Sequence, residues 1–219
     1  SYLLTGGHTQ IYLVNGIGKY KLLGETIDDA IGEAFDKVAR MVGFEYPGGP
    51  AIEKAATHGN GDRYPLPRPL KGRAGCDFSF SGLKTAVGRL VETGKVLKED
   101  VPDLCASFQK AVADVLADRL YNATLTFTAN YGKGPLVIAG GVAANKALRT
   151  HLAEKARELG FGEVGFTRYD RRYTFKVKKG WVKFEHAICL AYEQDFEPTQ
   201  TIPSVDAEIV HSSTYRTQA

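Results

Sequence analysis

The chain has 219 residues, enough for one large domain or two small ones around a real hydrophobic core. Its 43% hydrophobic and 24% charged residues are the composition of a soluble globular protein and exclude a disordered or fibrous one, and no apolar run is long enough to span a bilayer. A net charge of +3 and a pI near 8.6 permit a nucleic-acid partner without arguing for one.

In chain order, residues 2–4 and 9–14 read as strands around a Gly6-Gly7 turn, with the partial alternation expected of strands buried on both faces. The chain opens directly in strand, without a signal peptide or an initiator Met, as expected of a sequence truncated at its N-terminus. Asn15-Gly16 marks a turn and residues 20–23 a third strand. From Thr26 the period changes. Ile27, Ala30, Ile31, Ala34, Phe35, Val38, Met41 and Val42 recur at helical spacing, Thr26 is placed to cap that helix, and Asp28 and Asp29 suit its first turn.

Pro47-Gly48-Gly49-Pro50 predicts a rigid turn, with Pro50 starting a short helix over 51–56. Residues 58–76 hold Gly, Pro and Arg without periodicity and predict a long loop. Phe78 and Phe80 flank Ser79 in a strand, and Ser81 caps a helix to about Glu92. Pro102 opens a longer helix with Leu104, Cys105, Phe108, Val112, Val115 and Leu116 on its apolar face. Residues 135–139 form a short buried strand broken by Gly140-Gly141, and 145–159 a helix stopped by Gly160. This order predicts an α/β domain over 1–162, with a mixed sheet flanked by helices. Three widely spaced cysteines, Cys76, Cys105 and Cys189, form no CxxC pair and suit a reducing compartment, with Cys105 in the core of a helix.

Residues 163–219 read as a separate, divergent tail. Between 168 and 183 Arg168, Arg171, Arg172, Lys176, Lys178, Lys179 and Lys183 face one acid, Asp170, and interleave with Tyr169, Tyr173, Phe175 and Trp181. Such a run binds RNA through phosphates and stacked bases, or folds as an amphipathic hairpin packed on the domain. Residues 196–219 are rich in Thr, Ser and Pro and read as mobile.

The candidate chemistry lies in the glycine turns. Glycine lets a backbone approach phosphate closely, and the amides of such a turn attract anions. A carboxylate set back from the turn accepts hydrogen bonds from ribose hydroxyls. Thr5-Gly6-Gly7 followed by Asp36 reads as half of a nucleotide site, although a bare hairpin turn and a solvated acid paired with Arg40 explain the same residues. Gly49 and Asn145 have structural readings too, turn geometry and a helix N-cap. His8 has no His or Cys at ligand spacing and is not a metal residue. Lys84 and Arg73, with Arg63 and Arg68, face RNA phosphates or form a solvated rim.

Several strings occur in one order: Thr5-Gly6-Gly7-His8-Thr9-Gln10, Glu33-Ala34-Phe35-Asp36-Lys37, Tyr46-Pro47-Gly48-Gly49-Pro50, Asp77-Phe78-Ser79-Phe80-Ser81-Gly82-Leu83-Lys84 and Ala139-Gly140-Gly141-Val142-Ala143-Ala144-Asn145. Over 2–162 the chain thereby resembles the TsaD/Gcp family of tRNA threonylcarbamoyladenosine transferases. The resemblance implies one lobe of an actin-like ATPase (ASKHA) fold. It also implies transfer of the threonylcarbamoyl group from threonylcarbamoyl-AMP to N6 of adenosine 37 in ANN-decoding tRNAs. Leu3, Leu4, Thr5, Gly6 and Gly7 align with the substrate-binding loop, where Ser is common at Thr5. Asp36 falls where the family holds the ribose, Gly49 where backbone meets the nucleotide, and Asn145 where base or ribose is contacted, with Gly140 and Gly141 beneath it. The implied partners are tRNA and TsaB-like and TsaE-like subunits. The implied place is the cytoplasm, or the mitochondrial matrix, with no membrane.

Two family features are missing. The family has a preceding lobe that carries a His-x-x-x-His pair for a divalent metal, iron or zinc, and most of the catalytic residues are expected there. No such pair occurs among His8, His58, His151, His186 and His211. The Cys-Thr-Asp-Asn segment with the third metal ligand is absent too; residues 184–191 resemble the helix at that place and put Glu185 at the ligand position, about three helical turns too far from Asn145. A frameshift, a fusion or an engineered tail explains 163–219 equally well. Two further readings stand beside the transferase: a truncated, non-catalytic nucleotide-binding fragment and an actin-like small-molecule kinase. A peptidase is not among them, because no nucleophile–base pair is present.

Overall fold

Short apolar runs punctuated by glycine build a mixed sheet. The structure, a computed structural model, describes residues 2–4, 7–15, 19–132, 134–161, 164–167, 173–177 and 180–184. Strands β1 (Tyr2–Leu4), β2 (Thr9–Val14), β3 (Tyr20–Glu25), β4 (Leu136–Ala139) and β5 (Val164–Thr167) pair in the order β3-β2-β1-β4-β5. β2 runs antiparallel to β1 and β3, while β4 runs parallel to β1 and β5. Leu4, Glu25, Ala139 and Thr167, the last residues of four strands, therefore stand at one end of the sheet. A separate hairpin pairs β6 (Tyr173–Val177) with β7 (Gly180–Phe184).

Helices α1 (Ile31–Met41), α2 (Gly48–Ala56), α3 (Ser81–Glu92), α4 (Val101–Tyr131) and α5 (Lys146–Glu158) follow the expected order. One core joins Leu4, Ile11 and Ile138 of the sheet to Phe35, Leu83, Phe108, Leu116 and Leu152 of the helices. Phe35 meets Phe108 edge to face, with ring centroids 5.0 Å apart. Leu104, Cys105, Phe108, Val112, Val115 and Leu116 are all fully buried, as the apolar face of α4 requires. Pro102 lies in the first turn of α4, and Gly132 with φ +75° ends it.

Several expected elements and boundaries are corrected. The third strand runs on to Glu25, and Thr26 does not cap a helix: its amide donates to the Thr9 carbonyl (2.9 Å), extending the sheet. α1 starts only at Ile31, whose amide donates to the buried Thr9 hydroxyl (2.8 Å). Residues 78–80 form an isolated bridge between Phe78 and Thr26 rather than a strand. Ser81 is the first residue of α3 and makes no cap of its own. Finally, α2 begins at Gly48, not after Pro50, because Asp36 supplies an acceptor for the Gly48 amide at 2.8 Å. The helix expected over 184–191 starts on Phe184, which instead closes β7; the rest of it lies outside the described residues.

Candidate functional site

β1 and β4 are parallel neighbours with Leu3 beside Ala139, so the turns that follow them emerge side by side. Leu4 pairs with Thr9, and Gly7 lies in the segment that joins β1 to β2. Gly7 is exposed there, and a Cβ added to it would meet nothing within 4 Å. Thr5 and Gly6 lie outside the described residues. Leu4 is fully buried in the core, so it offers a ligand main chain alone. After β4 the chain turns at Gly140, with φ +109°, through a 3-10 turn (Val142–Ala144) into α5.

Asp36 lies half-buried on α1, and its Oδ1 accepts the Gly48 amide at the start of α2. The sequence brings these two together because Gly48 has no Cβ: one would lie 2.6 Å from Ala39 Cβ and 2.8 Å from Asp36 Cα. The next residue, Gly49, differs. A Cβ there would meet nothing within 4 Å, so the space over it is open.

Asn145 is buried and caps α5, its Oδ1 accepting the Leu148 amide at 3.0 Å. Its Nδ2 donates to Gln109 Oε1 at 2.7 Å. The N-cap role weighed for it is thus observed, and the cap is doubled, because Glu53 of α2 accepts the Lys146 amide at 2.7 Å. α2 therefore starts on Asp36 and reaches the first turn of α5, tying the two site segments into one frame.

Two residues that local spacing assigned to the first turn of α1 have other partners. Asp28 accepts the Ser79 and Ser81 hydroxyls at 2.5 and 2.7 Å and the Phe80 and Ser81 amides at 2.8 and 3.2 Å. It is the cap of α3, supplied from a distant segment. Partial burial acts to raise its pKa, but the two hydroxyls and two amides outweigh this and hold it below 3.8. Asp29 receives Lys37 and Lys84, each at 2.7 Å, and these ammonium groups likewise overcome burial and lower its pKa. The spacing of Ser79, Ser81 and Lys84 after an Asp-Asp pair was the available signal.

The cations proposed for RNA are also sorted. Arg63 pairs with Asp100 and Asp103, Arg68 with Asp114 at 2.9 Å, and Lys84 with Asp29. All three are thus engaged in ion pairs within the fold. Among the described residues no three His, Cys, Asp or Glu side chains are grouped to hold a metal ion, and Glu185 lies outside them. The described residues thus do not by themselves assemble a complete ligand set. No described helix is long and apolar enough to cross a membrane.

A mixed sheet flanked by helices, with glycine at the carboxyl ends of the adjacent parallel strands β1 and β4, defines a mixed α/β protein. The chain belongs to the TsaD family, whose model, described as tRNA N6-adenosine threonylcarbamoyltransferase, matches residues 1–176. It is similar to the tRNA N6-adenosine threonylcarbamoyltransferase of Rhodospirillum rubrum, 59% identical over 160 residues, 71% of this chain and 44% of the relative. The Bartonella henselae protein of that name is 57% identical over 168 residues, 73% of this chain and 46% of the relative. That of Gluconobacter oxydans is 56% identical over 165 residues, 72% and 44%. The chain spans about half the length of the curated relatives it matches. The family match reaches beyond residue 162, into the part read as divergent.

Proposed function

We propose that this chain is the adenylate-binding lobe of a tRNA threonylcarbamoyladenosine transferase with an actin-like fold. The N6 amine of adenosine 37 attacks the carbonyl carbon of threonylcarbamoyl-AMP, the C–O bond to the phosphate breaks, and AMP leaves. Thr5, Gly6 and Gly7 hold the phosphate and carbamoyl end through main-chain amides. Asp36 takes the ribose hydroxyls, the open face of Gly49 lies against the nucleotide, and Asn145 holds the second glycine turn beneath the adenosine. The work of these residues is positioning, which removes much of the entropic barrier to a two-substrate reaction. The strand order β3-β2-β1-β4-β5, with β2 alone reversed against β1, β3, β4 and β5, supports the actin-like reading. A divalent metal, a tRNA substrate and TsaB-like and TsaE-like partners belong to the same proposal.

The observation that carries this reading is the Asp36 carboxylate seated on the Gly48 amide beside the open face of Gly49. Calorimetric titration with an unreactive ATP analogue tests it. Wild-type chain is expected to bind. Asp36→Ala should weaken binding by on the order of tenfold or more, the worth of hydrogen bonds to a charged group. Gly49→Val should abolish binding while thermal unfolding stays near wild type. A folded wild-type chain that releases no heat would reject the proposal.

A further inference from the structure

The long loop before α3 ends at the same end of the sheet as the glycine turns. Cys76 lies directly on β3, where a Cβ on Gly24 would come within 2.3 Å of its carbonyl, and the Glu25 amide donates to Asp77 Oδ1 at 3.1 Å. β3 is two strands from β1, so this anchor stands roughly 10 Å from Leu4 at the end of β1. The loop is locked from below by α4. Arg119, 1% exposed, donates to the carbonyls of Leu70 (2.6 Å), Arg73 (2.8 Å) and Gly75 (3.0 Å). Asn122 donates to Arg73 and Gly75 as well, and Asp118 accepts the Gly72 amide at 3.0 Å. Leu70 is held at φ +60°, a conformation that a leucine keeps only when its surroundings impose it.

This fixed backbone presents two exposed cations, Lys71 and Arg73, for whose side chains no ion pair or hydrogen bond is seen among the described residues. Arg63, Arg68 and Lys84 nearby are all spent on carboxylates. We propose that Lys71 and Arg73 are RNA-phosphate contacts that seat the strand flanking the target adenosine, and that Arg63, Arg68 and Lys84 are not. The proposal rests on the transferase reading for its RNA. The loop's rigidity adds its own argument: two charges held in place lose little freedom on meeting phosphates spaced along a strand.

The test is filter binding of the chain to the anticodon stem-loop of an ANN-decoding tRNA across a salt series, with Lys71→Ala/Arg73→Ala and Arg63→Ala/Arg68→Ala compared. Loss of two single-strand phosphate contacts should cut affinity by about tenfold near physiological salt and reduce the slope of log K against log salt by about 1.4. Equal affinity and slope in the Lys71/Arg73 variant overturns the proposal, as does an equal loss in the Arg63/Arg68 variant, or a wild-type chain that binds no RNA. The ATP analogue, titrated into the same variants, separates the two readings. Unchanged nucleotide binding with weakened RNA binding supports the loop contacts. Absent nucleotide binding in wild type with weakened RNA binding in the loop variant rejects the adenylate site and leaves the contacts standing.

Discussion

Asp28 shows how one side chain is worth more than its local position suggests. It satisfies two amides at the start of α3 and two hydroxyls, so Asp28→Ala should cost about 1–2 kcal/mol, read as a lower urea midpoint. Its folded pKa is depressed, so its contribution is complete above the unfolded value near 3.8 and fades as pH falls through the lower folded value. The stability gap between wild type and Asp28→Asn is therefore expected to be constant near neutral pH and to close below about pH 4. A gap that persists unchanged in acid would show that the charge plays no part. The adjacent glycines of α2 make a second contrast. Gly48→Ala places a Cβ against Ala39 and the Asp36 backbone and should destabilise by about 1–3 kcal/mol, whereas Gly49→Ala should leave the urea midpoint unchanged. Equal midpoints for the two variants would contradict the packing of α2 on α1.

Among the elements, α4 carries two loads. One face fills the core; the other, through Asp103, Ser107, Asp114, Asp118, Arg119 and Asn122, binds the loop at 60–75 residue by residue. Arg119→Met should strand three carbonyls and Asp118, costing about 3 kcal/mol and speeding amide exchange across 70–75 more than in α4 itself. Uniform exchange along both segments would refute a local role. The core face of α4 was legible in the sequence, because Leu104, Phe108, Val112 and Val115 repeat at helical period. So were β1, β2 and β4, short runs closed by glycine, and α5, which Asn145 caps and Gly160 stops. The loop-facing side was not: its acids and Arg119 look like a solvated face until the loop is placed on them. Thr26 failed for the same reason. Its fitness as an N-cap is local, while its pairing to Thr9 comes from a strand that local spacing ignores. Asp36 and Gly49 were read as site residues from motif order; that Gly48 joins them became visible only with α1 and α2 packed.

At the scale of the molecule, sheet and helices share one buried cluster, so opening it is a cooperative event. Cys105 reports on that event. It is fully buried near the start of α4, where burial pushes its thiol up to about 12, so at neutral pH it is both shielded and protonated. Cys76, buried where the loop meets β3, is also shifted up, by burial first. The thiolate is the species that alkylates, so both should be slow with iodoacetamide, for different reasons. Cys76 needs only the loop at 70–76 to lift, whereas Cys105 needs the core to open. Mass spectrometry of the separate peptides is therefore expected to show Cys105 protected by about a thousandfold or more over a free thiol, tracking global stability in urea. Cys76 should label earlier, and earlier still in Arg119→Met, which frees the loop while α4 stays in place. If both cysteines label together at every urea concentration, loop and core open as one unit, and the loop at 70–76 is no separate platform but part of the core's single transition.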